Sequence, residues 1–151
     1  MIEKEIRTWK KVHQSDLSYI SIELKDLLTT PALIILEGPL GAGKTTFTKV
    51  FSGDENISSP TYSLVNEVKD MVHADFYRLK SREEIIHLEL GLYLEDKSYF
   101  LVEWGKKHIY SLLKEIPEGF NIYMIEISIN DKTKEQQVES RNFSLFAIED
   151  L

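Results

Sequence analysis

The stretch Gly38-Pro39-Leu40-Gly41-Ala42-Gly43-Lys44-Thr45-Thr46 has the spacing G-x-x-x-x-G-K-[ST], and its residue types suit one chemistry, the holding of phosphate groups. Glycine lacks a Cβ and accepts positive φ, so a backbone rich in it can wrap closely around phosphate oxygens. If a helix starts at Lys44, its first N–H groups point at those oxygens and its dipole favours their charge. Lys44 is predicted to reach the β- and γ-phosphates, and the Thr45 hydroxyl to ligand Mg²⁺. The competing reading is a glycine-rich turn that binds nothing.

Phosphate chemistry of this kind needs a carboxylate after a second apolar strand, to hold Mg²⁺ directly or through water. Glu103 follows Phe100-Leu101-Val102 and has the right position; otherwise it is a charged residue capping a strand end. Asp75 sits in His73-Ala74-Asp75-Phe76-Tyr77-Arg78, a polar residue in an apolar strand that needs a charge partner. Mg²⁺ is one candidate partner, and an ion pair with Arg78 is the other. Ser59-Pro60-Thr61-Tyr62 lies where GTPases carry a γ-phosphate-sensing switch, and it reads equally as the start of a strand. Guanine is not expected, because there is no N-K-x-D and no D-x-x-G after a strand. His13, His73, His87 and His108 lack metal-ligand spacing, and His73 reads as a packed polar residue. Arg78, Lys106 and Lys107 are candidates for stabilising transition-state charge, and read equally as ordinary surface cations.

The elements that must position these groups follow from periodicity. Leu33-Ile34-Ile35-Leu36 is a short apolar run, a buried strand that leads into the loop, and Thr46 to Phe51 can form the helix after it. Upstream, Ile6 to Val12 suggests an edge strand. Ser15 is predicted to N-cap a helix carrying Leu17, Ile20, Leu24, Leu27 and Leu28, ended by Thr29-Thr30-Pro31. Downstream, Thr61–Val68 and Met71–Tyr77 read as a hairpin turning at Lys69-Asp70. Ser81-Arg82-Glu83-Glu84 is a capping box opening a helix through Leu88, with Gly91 as its breaker. Tyr99–Val102 is a further strand, and His108, Leu112 and Leu113 suggest a helix closed by Pro117 and Gly119. Asn121–Ile129 and Arg141–Ile148 both alternate and form a terminal hairpin around a polar linker. The order predicts an α/β fold, a single P-loop NTPase-like domain over 1–151 with a mixed parallel and antiparallel sheet and helices on both faces. The ends of Leu33–Leu36 and Tyr99–Val102 then lie side by side, bringing Glu103 towards the loop.

The totals narrow the function classes. A chain of 151 residues with 42% hydrophobic residues suits one domain with a real core. A net charge of −7 argues against broad electrostatic binding to DNA or RNA. With no cysteine, disulfides, thiolate catalysis and cysteine zinc sites are excluded. Met1-Ile2-Glu3-Lys4-Glu5 reads as no signal region, and no apolar run approaches the roughly 20 residues that span a bilayer. A soluble, cytoplasmic protein is expected.

Four segments, in order, carry a resemblance. Gly38 to Phe47, Ser59-Pro60-Thr61-Tyr62-Ser63-Leu64-Val65-Asn66-Glu67, His73 to Leu79 and Leu101-Val102-Glu103-Trp104 together closely resemble the TsaE (YjeE) family, small bacterial ATPases of tRNA threonylcarbamoyladenosine synthesis. Gly91-Leu92-Tyr93-Leu94 is similar to that family as well. Pro39 stands where the family usually has an acidic residue, Val68 where an aromatic is common, and Phe47 to Ser58 is a few residues short. The resemblance implies an ATPase that joins TsaD and TsaB, the pair that transfers the threonylcarbamoyl group to adenosine in tRNA, so that tRNA is met through the complex. ATP and Mg²⁺ are the implied cofactors. By position, the loop backbone and Lys44 hold phosphates, Thr45 and Glu103 ligand Mg²⁺, and Asp75 supports the metal or catalysis. Thr61 and Tyr62 belong to a switch-like segment, and Trp104 lies beside the site.

Two other readings share the loop. A P-loop kinase of a small metabolite needs an arginine-rich lid, and the candidate lid at Ser81-Arg82-Glu83-Glu84 is as acidic as it is basic. A nucleotide-gated binding module with negligible turnover needs the same loop and metal ligands. Trp9 and the neighbourhood of Lys106 are the two candidate places for adenine.

Overall fold

The computed structural model describes residues 1–57, 65–131 and 139–151. The predicted switch residues Thr61 and Tyr62 lie outside the described residues. Seven strands form a mixed sheet in the order β1-β7-β6-β2-β5-β4-β3. They are β1 (Ile2–Val12), β2 (Ala32–Glu37), β3 (Val65–Val68), β4 (Met71–Asp75), β5 (Tyr99–Glu103), β6 (Asn121–Ile129) and β7 (Arg141–Glu149). The helices are α1 (Leu17–Leu27), α2 (Lys44–Ser52), α3 (Arg82–His87), α4 (Leu90–Leu94) and α5 (Ile109–Glu115).

The apolar run that predicts a buried strand is the middle of the sheet. Ala32 to Leu36 of β2 are all fully buried, as expected of a strand with parallel neighbours and both faces covered. It pairs in parallel with β5 on one side and β6 on the other, and β5 pairs in parallel with β4. Antiparallel pairs, β3 with β4 and β6 with β7 and then β1, finish the two flanks. Side chains alternate between the faces. Ile34 and Leu36 pack with Leu17, Ile20 and Leu24 of α1 and Phe47 and Phe51 of α2. Leu33 and Ile35 pack with Ile85, Leu90, Leu94, Ile109 and Leu112 from the three other helices. The mixed sheet with helices on both faces is thus present as predicted.

Helix α2 is fixed by its aromatic residues. The Phe47 ring lies 5.7 Å from Phe51 and 5.8 Å from Phe143, and Phe51 meets Tyr99 edge-on at 5.1 Å. Each buried phenylalanine contributes roughly 1.5–3 kcal/mol. That holds the start of α2 at the carboxyl ends of β2 and β5, where open parallel sheets bind their ligands.

Several local expectations are corrected. The edge strand β1 begins at Ile2, not Ile6, and its register against β7 shifts between Glu5 and Arg7 and again between Trp9 and Val12. Those irregularities interrupt the two-residue alternation. The entry to α1 is not capped by Ser15: the Asp16 carboxylate accepts the His13 N–H at 2.9 Å, ahead of a 3₁₀ turn over Gln14–Asp16. Ser81 does cap α3, its hydroxyl accepting the Glu84 N–H at 3.4 Å, while Glu84 reaches back to the N–H of Lys80 at 2.7 Å, not that of Ser81. The break after α3 falls at Glu89, which takes a left-handed φ of 52°, and Gly91 lies inside α4. Burial of Leu90 and Leu94 restarts the helix and offsets the roughly 1–2 kcal/mol that this backbone costs. β4 ends at Asp75, two residues before the predicted Tyr77. No helix among the described residues is long and apolar enough to cross a membrane.

Candidate functional site

Between β2 and α2 the chain makes the glycine-rich turn. The Ala42 N–H bonds the Pro39 carbonyl at 3.0 Å, and Gly41 and Gly43 take φ of 79° and 101°. Gly43 is the N-cap of α2, so the first N–H groups of the helix, beginning at Lys44, open towards the loop. Gly38 is needed for a different reason. A Cβ there would lie 2.6 Å from the carbonyl oxygen of Ile127 on β6. Gly38→Ala is expected to lower stability by about 1–3 kcal/mol. Gly91→Ala, whose Cβ meets only open space, is expected to stay within about 0.5 kcal/mol of the parent. Thermal melts of the two variants check this; equal melting temperatures would remove the close-approach argument.

The Lys44 side chain is buried and folds back on its own loop. Its ammonium donates to the carbonyls of Gly38 at 2.6 Å and Pro39 at 3.1 Å, and sits 4.0 Å from the centre of the Trp104 ring. Burial lowers its pKa, and the carboxylates of Glu103, Glu37 and Asp75 pull it back up. The charge is therefore held in a partly dry pocket, where it acts more strongly than in water. Trp104 adopts a left-handed φ of 61°, a strained backbone that costs about 1–3 kcal/mol. Its N–H bonds the Leu36 carbonyl at 3.2 Å, and its ring packs on Tyr77 at 5.1 Å. Together these hold the indole against Lys44.

Parallel pairing of β2 with β5 sets Leu36 opposite Glu103, as the predicted strand order requires. The Thr45 hydroxyl lies 3.4 Å from one Glu103 oxygen, and His73 Nε2 lies 2.7 Å from the other. Glu103 and His73 are both buried. Asp75 is level with Glu103 at the ends of β4 and β5, and its Oδ1 accepts the Tyr77 N–H at 2.9 Å. Lys44, Thr45, Glu103, Asp75 and Trp104 are thus brought to one place. The sequence marks His73 only as a packed polar residue; the signal that reveals its partner is the strand register, which no local pattern carries.

Two hard oxygens, from Thr45 and Glu103, suit Mg²⁺, which takes one or two protein oxygens and completes its shell with water and phosphate. Neighbouring ligands on one octahedral ion at about 2.1 Å stand roughly 3 Å apart, close to the separation seen. Among the described residues no group of three or more His, Cys, Asp and Glu side chains stands ready to hold a metal. The arrangement fits an ion that arrives with a nucleotide.

The other side of the loop carries features that no local pattern announces. Arg141, at the start of β7, donates from Nε to the Ala42 carbonyl at 3.0 Å and from Nη2 to the Gly41 carbonyl at 3.2 Å. Beside it opens a cavity of about 550 Å³ lined by His13, Gln14, Leu17, Ala42, Gly43, Thr46, Arg141 and Phe143, among others. At the two places named for adenine the side chains already hold partners, and a cavity of about 370 Å³ borders Lys106 beside Gly38. Trp9 is buried and its indole N–H donates to Glu23 at 2.8 Å. The Lys106 ammonium pairs with Glu3 at 3.1 Å, and its backbone N–H donates to Glu37 at 2.7 Å. Burial raises the Glu37 pKa, against the opposing effects of that N–H and the Lys106 charge.

The family model described as threonylcarbamoyl adenosine biosynthesis protein TsaE matches residues 12–142. Three curated relatives bear the name tRNA threonylcarbamoyladenosine biosynthesis protein TsaE. That of Nostoc sp. is 37% identical over 103 residues, covering 60% of this chain and 63% of its own. That of Haemophilus influenzae is 40% identical over 83 residues, covering 50% and 52%. That of Bacillus subtilis is 36% identical over 108 residues, covering 64% and 65%. The chain therefore matches between half and two thirds of the length of these relatives. The crystal structure of Bacillus subtilis YdiB superposes with a TM-score of 0.62 at 25% identity, over 99% of this chain and 89% of that one.

Proposed function

The chain belongs to the TsaE family, and from that premise we propose that it is a Mg²⁺-dependent P-loop ATPase of slow turnover that supports TsaD and TsaB in forming N6-threonylcarbamoyladenosine in tRNA. The observation that carries the reading is the meeting of Lys44, Thr45 and Glu103 where β2 and β5 end side by side. It works as one domain, in the cytoplasm, meeting tRNA through its partners.

The residues divide the labour. Backbone N–H groups at the start of α2 take the phosphate oxygens. Lys44, now bonded to the Gly38 and Pro39 carbonyls, has its ammonium close enough to turn towards β- and γ-phosphates. Thr45 and Glu103 hold Mg²⁺, which when bound neutralises charge on the β- and γ-oxygens. Asp75, level with Glu103, supports the metal or orients the attacking water. The cavity beside Ala42, Gly43 and Thr46 takes the base and ribose. It opens on the flank away from Glu103, as a nucleotide running from γ-phosphate to adenine requires. Arg141 keeps the Gly41 and Ala42 carbonyls turned away from the phosphates. The metabolite-kinase reading gains no support from its candidate lid, since Ser81 to Glu84 is the capped start of α3 and Ile85 behind it is buried.

ATP hydrolysis by the purified chain, alone and with TsaD and TsaB from the same source, tests the reading. The expected result is a slow basal rate that rises only when both partners are present, because a partner completes the surroundings of the γ-phosphate. A rate indifferent to the partners would overturn the reading.

A further inference from the structure

We infer that His73 is a positioning residue for Glu103: it fixes the rotation of the carboxylate so that one oxygen stays turned towards Thr45, and thereby sets the Mg²⁺ affinity of the nucleotide complex. The inference rests on the proposed role of Glu103 as a metal ligand.

His73 lies in the middle of β4 with no exposed surface. Parallel register with β5 sets it opposite Leu101, so its ring reaches along the same face to Glu103. The terminal torsion of a glutamate is broad and nearly two-fold. Left alone, the carboxylate would sample many orientations at the mouth of the strand. Here Oε2 is engaged by His73 at 2.7 Å, and Oε1 faces the Thr45 hydroxyl at 3.4 Å. With the carboxylate as acceptor, the bond uses the tautomer that carries its hydrogen on Nε2. Nδ1 is buried with no hydrogen-bond partner among the described residues. In that tautomer Nδ1 carries a lone pair and no N–H, so no buried donor is left unpaired. The bond to Glu103 is thus what the imidazole contributes, beyond packing that a leucine would supply equally well. Hydrogen bonds to a ligating carboxylate commonly change metal affinity about 10- to 100-fold.

The test compares the parent with His73→Leu, His73→Gln and Glu103→Gln, in the full chain. A non-hydrolysable ATP analogue is titrated calorimetrically in EDTA and again with Mg²⁺. The His73→Leu variant is expected to lose about 10- to 100-fold of the Mg²⁺-dependent gain in affinity, with the EDTA affinity within about twofold. In His73→Gln the amide nitrogen sits the same number of bonds from the backbone as Nε2, and the gain is expected to return to within about threefold of the parent. An unchanged gain in His73→Leu alongside a lost gain in Glu103→Gln overturns the positioning role and leaves the metal reading standing. A gain unchanged in both overturns both. Failure of glutamine to restore what leucine loses, with melting temperatures matched, assigns His73 to packing alone. Should His73→Leu not fold, ¹⁵N spectra of the parent decide: the Nε2–H tautomer supports the proposal, and the Nδ1–H tautomer overturns it.

Discussion

Lys44→Ala is expected to abolish ATP turnover while the chain still unfolds cooperatively near the parent melting temperature. A unit charge about 4 Å from a phosphate oxygen is worth roughly 4 kcal/mol at an effective dielectric constant of about 20. Part of that is already present when the nucleotide first binds. Losing a preorganised cationic donor typically costs about two to three orders of magnitude in rate. The fold loses less. The ammonium gives up its bonds to the Gly38 and Pro39 carbonyls, each worth about 1.5–3 kcal/mol for a charged donor. Against this, a buried charge is removed whose cost is already visible in the lowered Lys44 pKa. Alanine is also the best residue for a helix start that must propagate. Phosphate release and a thermal melt on one preparation separate the outcomes. An unfolded variant would make Lys44 structural, and a folded variant with parental turnover would remove it from the mechanism. The Trp104 ring, which loses its cation partner, gives an internal check: its fluorescence is expected to shift, with Trp9 the other indole in the chain.

How much of this was legible follows the range of the interactions involved. The strand, loop and α2 are local: an apolar run, glycines at fixed spacing and a helix-forming stretch, each with its own signature in consecutive residues. Glu103 was legible one step further out, because a short parallel strand beside β2 must deliver its last residue to the loop. Beyond that, the controlling contacts are long-range. His73 meets Glu103 through the β4–β5 register, and Arg141 meets the Gly41 and Ala42 carbonyls across about 100 residues of chain. No local pattern encodes such a meeting. The cavity beside Thr46 is lined by β1, α1, the loop and β7, so it exists only after the sheet order is set. Glu89 was missed for another reason. Gly91 is of a residue type that weakens helices, yet burying Leu90 and Leu94 outweighs that preference and moves the break to a residue that must bear strain. The same balance keeps Trp104 in a left-handed conformation that its residue type does not favour.

Glu103 carries the second large effect, and two substitutions there separate charge from packing. Glu103→Gln keeps the volume and an amide oxygen that can still accept from His73, but removes the negative charge facing Thr45. It is expected to lower the Mg²⁺-dependent gain in nucleotide affinity at least tenfold, since the loss of a ligand exceeds the about 10- to 100-fold effects of residues one contact further out. Its melting temperature is expected to stay near that of the parent. Glu103→Ala is expected to lose the same gain and also stability. It leaves His73 Nε2 with no acceptor inside the core, at about 1–3 kcal/mol, and opens a cavity under a residue that is only 3% exposed. The pair of melts and Mg²⁺ titrations therefore gives a pattern that packing alone does not: equal losses of metal dependence, unequal losses of stability. An unchanged Mg²⁺ requirement in Glu103→Gln would reject the metal role. Asp75, level with Glu103 on the neighbouring strand, would then be the carboxylate to test, because a site that joins a P-loop lysine and threonine still needs an acidic oxygen to hold the ion.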